Sequence, residues 1–292
     1  MPTNKNTTNT LRTAFLTAIA MLAFAANSVL CRQALGPELV DAASFTSVRM
    51  VSGAIMLSLI LMLRGRSSKP STANWQSAAM LFTYMVFFSF AYISLEAGTG
   101  ALILFGAVQL TMFLVALKGG ETFPLLSWTG LGLAVGGLIY LVSPGVSAPD
   151  LLGALLMTVA GIAWGVYSLM GRGAANPLEA TASNFIYCVP LVLIVSVMFS
   201  STFSITPMGL ALAVASGALA SGCGYVIWYA ALPNLGATRA ATVQLTVPAI
   251  AAFGGVVLLS EPLTVRLIVA SAATLGGVAM VLAQRATRKP AK

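Results

Sequence analysis

Val108-Gln109-Leu110-Thr111 and Val243-Gln244-Leu245-Thr246 are the same four residues written twice, each near the middle of a long apolar run. A glutamine amide is costly in hydrocarbon unless it meets a partner, so two of them in matching surroundings ask for one explanation. Polar groups near the midplane of a duplicated membrane protein stand where carriers place their cargo. The simpler alternative is a hydrogen bond between packed helices that touches no ligand.

The rest of the chain agrees with a bilayer setting. Of its 292 residues 58% are hydrophobic and 8% charged, and its mean hydropathy is +0.93; soluble domains carry roughly 25% charged residues. There is no histidine, which removes the commonest general base and metal ligand. Cys31, Cys188 and Cys223 are far apart in apolar runs and read as small buried hydrophobes, not as a disulfide framework or metal set. No catalytic group, metal or cofactor is expected. The net charge of +8 is spread over helix ends and forms no basic patch, so nucleic acid is not an expected partner.

A span needs about 20 mostly apolar residues. That rule predicts ten helices, at 12–34, 42–63, 75–95, 100–118, 124–142, 150–171, 180–199, 207–231, 236–258 and 262–284. Gly36-Pro37, Ser143-Pro144-Gly145, Leu232-Pro233-Asn234 and Ser260-Glu261-Pro262 are among the breaks between them. The polar stretch 1–11 is expected as a disordered tail and 285–292 as a basic one. With ten helices, twelve of the fifteen basic residues fall on the side of both termini: Lys5, Arg12, Arg64, Arg66, Lys69, Lys118, Arg172, Arg239, Arg285, Arg288, Lys289 and Lys292. Arg32 and Arg266 fall on the other side and Arg49 lies inside the second helix. This bias predicts cytoplasmic termini.

A shift of 140 residues superimposes Phe24 on Trp164, Arg32 on Arg172, Pro37 on Pro177, Glu121 on Glu261 and Gly136-Gly137 on Gly276-Gly277, while the glutamine motifs need 135. The chain therefore divides into a five-helix repeat at 12–142, a linker at 143–149 and a second repeat at 150–284. Five is odd, so the second half enters the membrane from the opposite side. The expected fold is all-α and polytopic, ten transmembrane helices as two inverted five-helix repeats, the symmetry that alternating access uses.

Ten helices in two halves, the Gly36-Pro37 and Asn176-Pro177 turns, and Ser260-Glu261-Pro262-Leu263 before the last helix resemble the drug/metabolite transporter superfamily, EamA-type branch. Gly120-Glu121-Thr122 is an approximate copy of that turn without the proline, and Arg49 matches an arginine common in the second helix, where the second half has Val189. The resemblance covers about residues 12–284. Within the branch, the run of the first and sixth helices is most similar to inner-membrane exporters of aromatic amino acids. That resemblance implies amino acid export across a bacterial inner membrane; the oligomeric state is left open between monomer and homodimer. Cationic drugs or other small metabolites are the alternative cargo.

Six helices, the first, third, fourth, sixth, eighth and ninth, are expected to enclose a central chamber. Gln109, Gln244 and Asn27 are the candidates for the polar end of a substrate, and Trp164, Tyr167, Tyr84 and Tyr92 for its side chain. Arg49 would attract a carboxylate, or else pair with backbone carbonyls or a loop carboxylate. Pro190 and Pro248 interrupt the seventh and ninth helices and are hinge candidates, Pro248 one turn beyond Gln244. All seven carboxylates fall at or beside loops, which disfavours coupling through a buried acid and favours facilitated export.

Overall fold

Apolar runs bounded by capping residues and prolines leave the chain one way to satisfy its backbone in lipid, as helices. The computed structural model describes residues 4–65, 74–171, 174, 176–235 and 237–287. Its helices are α1 (Asn4–Leu35), α2 (Ala42–Leu63), α3 (Trp75–Ala91), α4 (Ala97–Lys118), α5 (Leu125–Val142), α6 (Leu151–Gly171), α7 (Pro177–Met198), α8 (Pro207–Val214), α9 (Gly224–Ala231), α10 (Ala237–Gln244), α11 (Thr246–Leu259) and α12 (Val265–Thr287). Among the described residues nine crossings are long and apolar enough to span a bilayer, and α3 is a shorter apolar helix of 17 residues that continues into turns through Ser94. The protein is a multi-pass membrane protein of ten crossings. Arg66, Lys69, Arg172, Arg288, Lys289 and Lys292 lie outside the described residues, and of Lys5 and Arg285 only the backbone is described.

Three expectations need correction. α1 begins at Asn4, inside the stretch expected as a tail, because nothing in 4–11 stops a helix. The eighth crossing is not one α-helix: α8 and α9 flank a π-helix over Ala215–Cys223. The ninth crossing breaks between α10 and α11 at Leu245. Pro248 has no N–H to give the carbonyl of Gln244, four residues back, so the break falls where the sequence removes that bond. Pro190, by contrast, sits within an unbroken α7.

The start signals are polar caps. Asp41 accepts from the backbone N–H of Ser44 at 2.9 Å, Asn74 from Ser77 at 3.1 Å, and Thr206 from Gly209 at 3.0 Å. Asn176 caps α7, whose first residue is Pro177.

Helix pairing displays the inverted repeat. α2 packs on α7 and α5 on α12, each helix against its own counterpart. α3 and α4 pack on α6, and the eighth and ninth crossings pack on α1 in the same way. Loops that the topology places on the face opposite the termini (here the far face) meet each other: Asp41 donates to the Ser204 carbonyl at 2.9 Å and Thr206 to that of Leu39 at 2.8 Å. Since lipid gives helices little hydrophobic reason to associate, close backbone approach matters. A methyl on Gly277 would overlap the carbonyl of Gly130, and one on Gly137 the Thr274 hydroxyl. Gly136 and Gly276 face open space, so each expected glycine pair contributes one packing residue.

Candidate functional site

The centre of the molecule is polar in spite of its composition. Asn27 of α1 is buried; its Oδ1 accepts from Ser216 at 2.6 Å and its Nδ2 donates to the Tyr84 hydroxyl oxygen at 3.5 Å. Ser216 reaches it from the π-helix, whose wider turn admits a close neighbour: a methyl on Gly217 would overlap the carbonyl of Arg49 and the hydroxyl of Ser52. Arg49 is fully buried. Its Nη2 donates to the same Tyr84 oxygen at 3.1 Å, and its guanidinium carbon lies 4.8 Å from the Phe88 ring centroid and 5.6 Å from that of Tyr84. Among the described residues its Nε and Nη1 have no hydrogen-bond partner, and no carboxylate pairs with it. Neither the loop carboxylate nor the backbone carbonyl offered as alternatives for Arg49 is its partner.

The Tyr84 oxygen thus accepts from an amide and from a cation, while no acceptor takes its own proton. Donation from a cation polarises the hydroxyl and strengthens it as a donor. Tyr84 lines a small chamber of about 20 Å³, room for one water. Asn27, Trp164 and Gln244 line it too, so four of the expected residues come together, and all six expected crossings contribute. The aromatic walls follow the repeat. Tyr84 lies 4.8 Å from Trp164, and Phe24, the repeat partner of Trp164, lies 5.9 Å from Tyr225.

Four expected residues are elsewhere. Arg49 stands behind Tyr84 and Phe88. Tyr167 is buried beside the chamber, where its hydroxyl meets Thr181 at 3.4 Å and Asn184 at 3.5 Å. Tyr92 is fully buried at the far end of α3 and donates to the Ala97 carbonyl at 3.3 Å. Gln109 lines a separate cavity of about 320 Å³ toward the terminal face, so the two glutamines do not share a chamber. Sequence reasoning missed Ser216, Ser221 and Tyr225. The signal was Ser216-Gly217 followed by Ser221-Gly222, small pairs five residues apart, which is the i→i+5 spacing of a π-helix.

At the far face the Glu261 carboxylate ties the end of the ninth crossing to α1 and α4. Both oxygens of Glu261 accept from the Ala97 N–H that opens α4, at 3.1 and 2.9 Å, and Oε1 meets Arg32 Nε at 3.3 Å. Arg32 Nη1 also donates to the carbonyls of Tyr92 and Ile93, at 3.2 and 2.9 Å, at the end of α3. Ser260, in a left-handed conformation with φ 56°, turns the chain so that Glu261 points back at α4, and Gly255 leaves room for the carboxylate. Burial pushes the Glu261 carboxyl up, against the lowering effect of the Ala97 hydrogen bond and Arg32. Burial and the neighbouring Glu261 charge push Glu96 up as well. Arg266 serves the other minority position, donating to the carbonyls of Leu141 and Ser143 at the end of α5.

Known proteins resemble this chain along its length. An uncharacterised protein of Pseudomonas aeruginosa is 50% identical over 277 residues, 95% of this chain and 96% of its own. An uncharacterised transporter of Archaeoglobus fulgidus is 25% identical over 94% of this chain and 98% of its own. A threonine/homoserine exporter of Salmonella typhimurium is 36% identical over 140 residues, 45% of this chain and 46% of its own. A protein crystal structure shares the fold with a TM-score of 0.65 at 17% identity, covering 94% of this chain and 99% of that one. The EamA-like transporter family matches twice, over residues 11–143 and 151–283, and the chain belongs to that family.

Proposed function

We propose that this transporter exports zwitterionic amino acids, aromatic ones included, from the cytoplasm across the inner membrane by alternating access, with both termini cytoplasmic. The observation that carries the reading is Arg49, a buried cation without a counter-ion, poised behind the Tyr84 hydroxyl. A buried charge attracts its opposite strongly where water is excluded, and a substrate carboxylate on Tyr84 would supply it. The chamber as it stands admits one water, so an amino acid enters only when Trp164 and Tyr225, stacked on each other with centroids 5.6 Å apart, part around it and offer their ring faces to the α-ammonium group and side chain. No carboxylate lines the chamber, which disfavours cationic drugs as cargo. The likeness of half the chain to a threonine/homoserine exporter supports amino acids as the class. The excess of basic residues on the terminal side supports the orientation.

None of the seven carboxylates lies deeper than the first turn of a helix, so facilitated exchange is the proposed mode. Counterflow in proteoliposomes preloaded with phenylalanine, tryptophan, threonine or homoserine tests it. Saturable exchange of at least one without a pH gradient is expected. No exchange with any of them sinks the reading, and exchange that needs the gradient transfers attention to Glu96 and Glu261.

A further inference from the structure

The eighth crossing gives the chamber Ala220 and Ser221 from the π-helix Ala215–Cys223 and Tyr225 from the start of α9. Its counterpart in the first half is regular. A shift of 140 or of 135 carries the π-helix onto residues within α3, an unbroken α-helix from Trp75 to Ala91. The duplicated crossing thus has two forms in one molecule, α in one half and π in the other.

Small residues five apart set the π register. Gly217 and Gly222 both face α2: a methyl on the first would overlap the Arg49 carbonyl, and one on the second would come 3.2 Å from the Met56 Cβ. On an α-helix residues five apart point about 140° away from each other, so the α register cannot aim both at one neighbour. The π register also strands a hydroxyl. Ser221 is 2% exposed, and its Oγ has neither open surface nor a hydrogen-bond partner among the described residues. On α2, α3 and α4 a buried hydroxyl returns to the carbonyl four residues back: Thr46 to Ala42 at 2.7 Å, Ser89 to Met85 at 3.0 Å and Thr111 to Ala107 at 2.8 Å. Tightening the π turn into α would give the Ser221 hydroxyl the same partner, the carbonyl of Gly217.

We propose that the π-helix is a register switch that opens the chamber, π in the arrangement described and α when substrate is bound. The proposal rests on the amino acid reading above and supplies the movement that reading needs. Ser216, bonded to Asn27, and Gly217, seated against Arg49, are the fixed end. Taking the extra residue out of the turn rotates everything beyond it by roughly 100° and shifts it by about 1.5 Å along the axis. Tyr225 then leaves the face of Trp164, on which it is stacked, and the chamber widens from one water to an amino acid. Gly222 leaves Met56 in the same step.

Gly222 and Met56 therefore report the register. Met56→Cys and Gly222→Cys, in a background of Cys31→Ala, Cys188→Ala and Cys223→Ala, place two Cβ atoms near disulfide range, about 3.5–4.5 Å, only in the π register. Copper phenanthroline, which enters the bilayer, should join the pair. Saturating phenylalanine should slow joining about ten-fold. The joined protein should lose counterflow at least about ten-fold, and dithiothreitol should restore it. Ser221→Ala removes what the α register gains, so it should speed joining several-fold and, in the native chain, slow counterflow several-fold. A folded pair that does not join overturns the switch. So does a joined protein that exchanges at the free rate, or joining that phenylalanine leaves unchanged while the unjoined protein exchanges it. If the pair does not fold, Ser221→Ala in the native chain decides, and unchanged counterflow overturns the switch. If the unjoined protein exchanges no amino acid, the amino acid reading falls by itself and joining still decides: faster joining in Ser221→Ala keeps the switch, and an unchanged rate overturns it.

Discussion

α4 and the ninth crossing run side by side through the molecule, and their two ends are built differently. At the far end Gly98 sits against Ala252, and Glu261 and Arg32 lock the start of α4 to α1, α3 and α11. At the terminal end the same crossings part around a cavity of about 320 Å³. The inverted repeat exchanges these ends, because its axis swaps the two crossings and reverses the membrane direction. Perfect symmetry would leave both ends alike. The sequence breaks it with Ser260-Glu261-Pro262 in one half and Gly120-Glu121-Thr122 in the other. On the alternating-access reading proposed above, a pair of crossings closed together at one end and parted at the other is half of the cycle, and the counterparts of the lock, Arg172, Ala237 and Glu121, are the residues from which the other half would be made.

The largest effect should come from removing the charge between the two ends. Arg49→Met should lower counterflow at least about 100-fold, a loss of ~2.7 kcal/mol of transition-state stabilisation. The same change should stabilise the resting fold by roughly 1–3 kcal/mol, since a buried cation without a counter-ion is replaced by an apolar side chain of similar length. Thermal unfolding in detergent gives the second number. A variant that transports normally would remove Arg49 from the substrate path; one that is inactive and unstable would make it a structural residue.

A moderate effect should appear at the lock. Ala97→Cys, buried in this arrangement, should become several-fold more reactive from the far side when Glu261→Ala removes the lock. The repeat predicts the opposite shift for Glu121→Ala. The pH dependence has a definite sign. Burial raises Glu261 and Glu96 in the locked form, and both fall back toward the ordinary glutamate range when the lock opens to water. The locked form therefore binds protons more tightly: its advantage is full below the ordinary range and is lost as pH rises through the raised values. Reactivity of Ala97→Cys, divided by that of an exposed reference cysteine to remove the ordinary rise in thiolate, should thus increase with pH in that window. An increase toward acid would mean that breaking the ion pair with Arg32 outweighs desolvation.

Which of these features the sequence discloses has a physical pattern. Ten crossings, their order and the inverted halves follow from apolar length, helix breakers and charge, properties that act residue by residue. Asn27, Tyr84, Trp164 and Gln244 are legible because a polar or large aromatic group deep in lipid needs a reason, and the structure brings them to one chamber. Arg32 and Glu261 look like ordinary loop charges, since their meaning lies in a contact 229 residues apart in sequence. The separation of Gln109 from Gln244 is hidden for a related reason: a repeat reports equivalence between positions, while the two halves of an asymmetric state place equivalent residues differently. The π-helix escapes because Ser216 and Ser221 are unremarkable as single residues, and only their spacing carries the turn.

The smallest effect tests what stays still while the ends exchange. α5 and α12 meet through backbone atoms, with Gly277 against the Gly130 carbonyl and Gly137 against Thr274, beside the terminal-side cavity but outside the lock. A seam this close has no room to slide, which makes it the natural axis for movements elsewhere. Gly277→Ala should therefore cost about 2–3 kcal/mol of stability, because the added methyl must push two backbones apart. Gly276→Ala, one residue away and facing open space, should stabilise α12 by up to ~1 kcal/mol through helix propensity alone. Thermal unfolding of the two variants side by side measures the difference, and neither should shift the reactivity of Ala97→Cys. If Gly277→Ala shifts that reactivity while leaving stability intact, the seam itself moves, and the contrast between the two ends belongs to a motion of whole halves instead of to α4 and the ninth crossing.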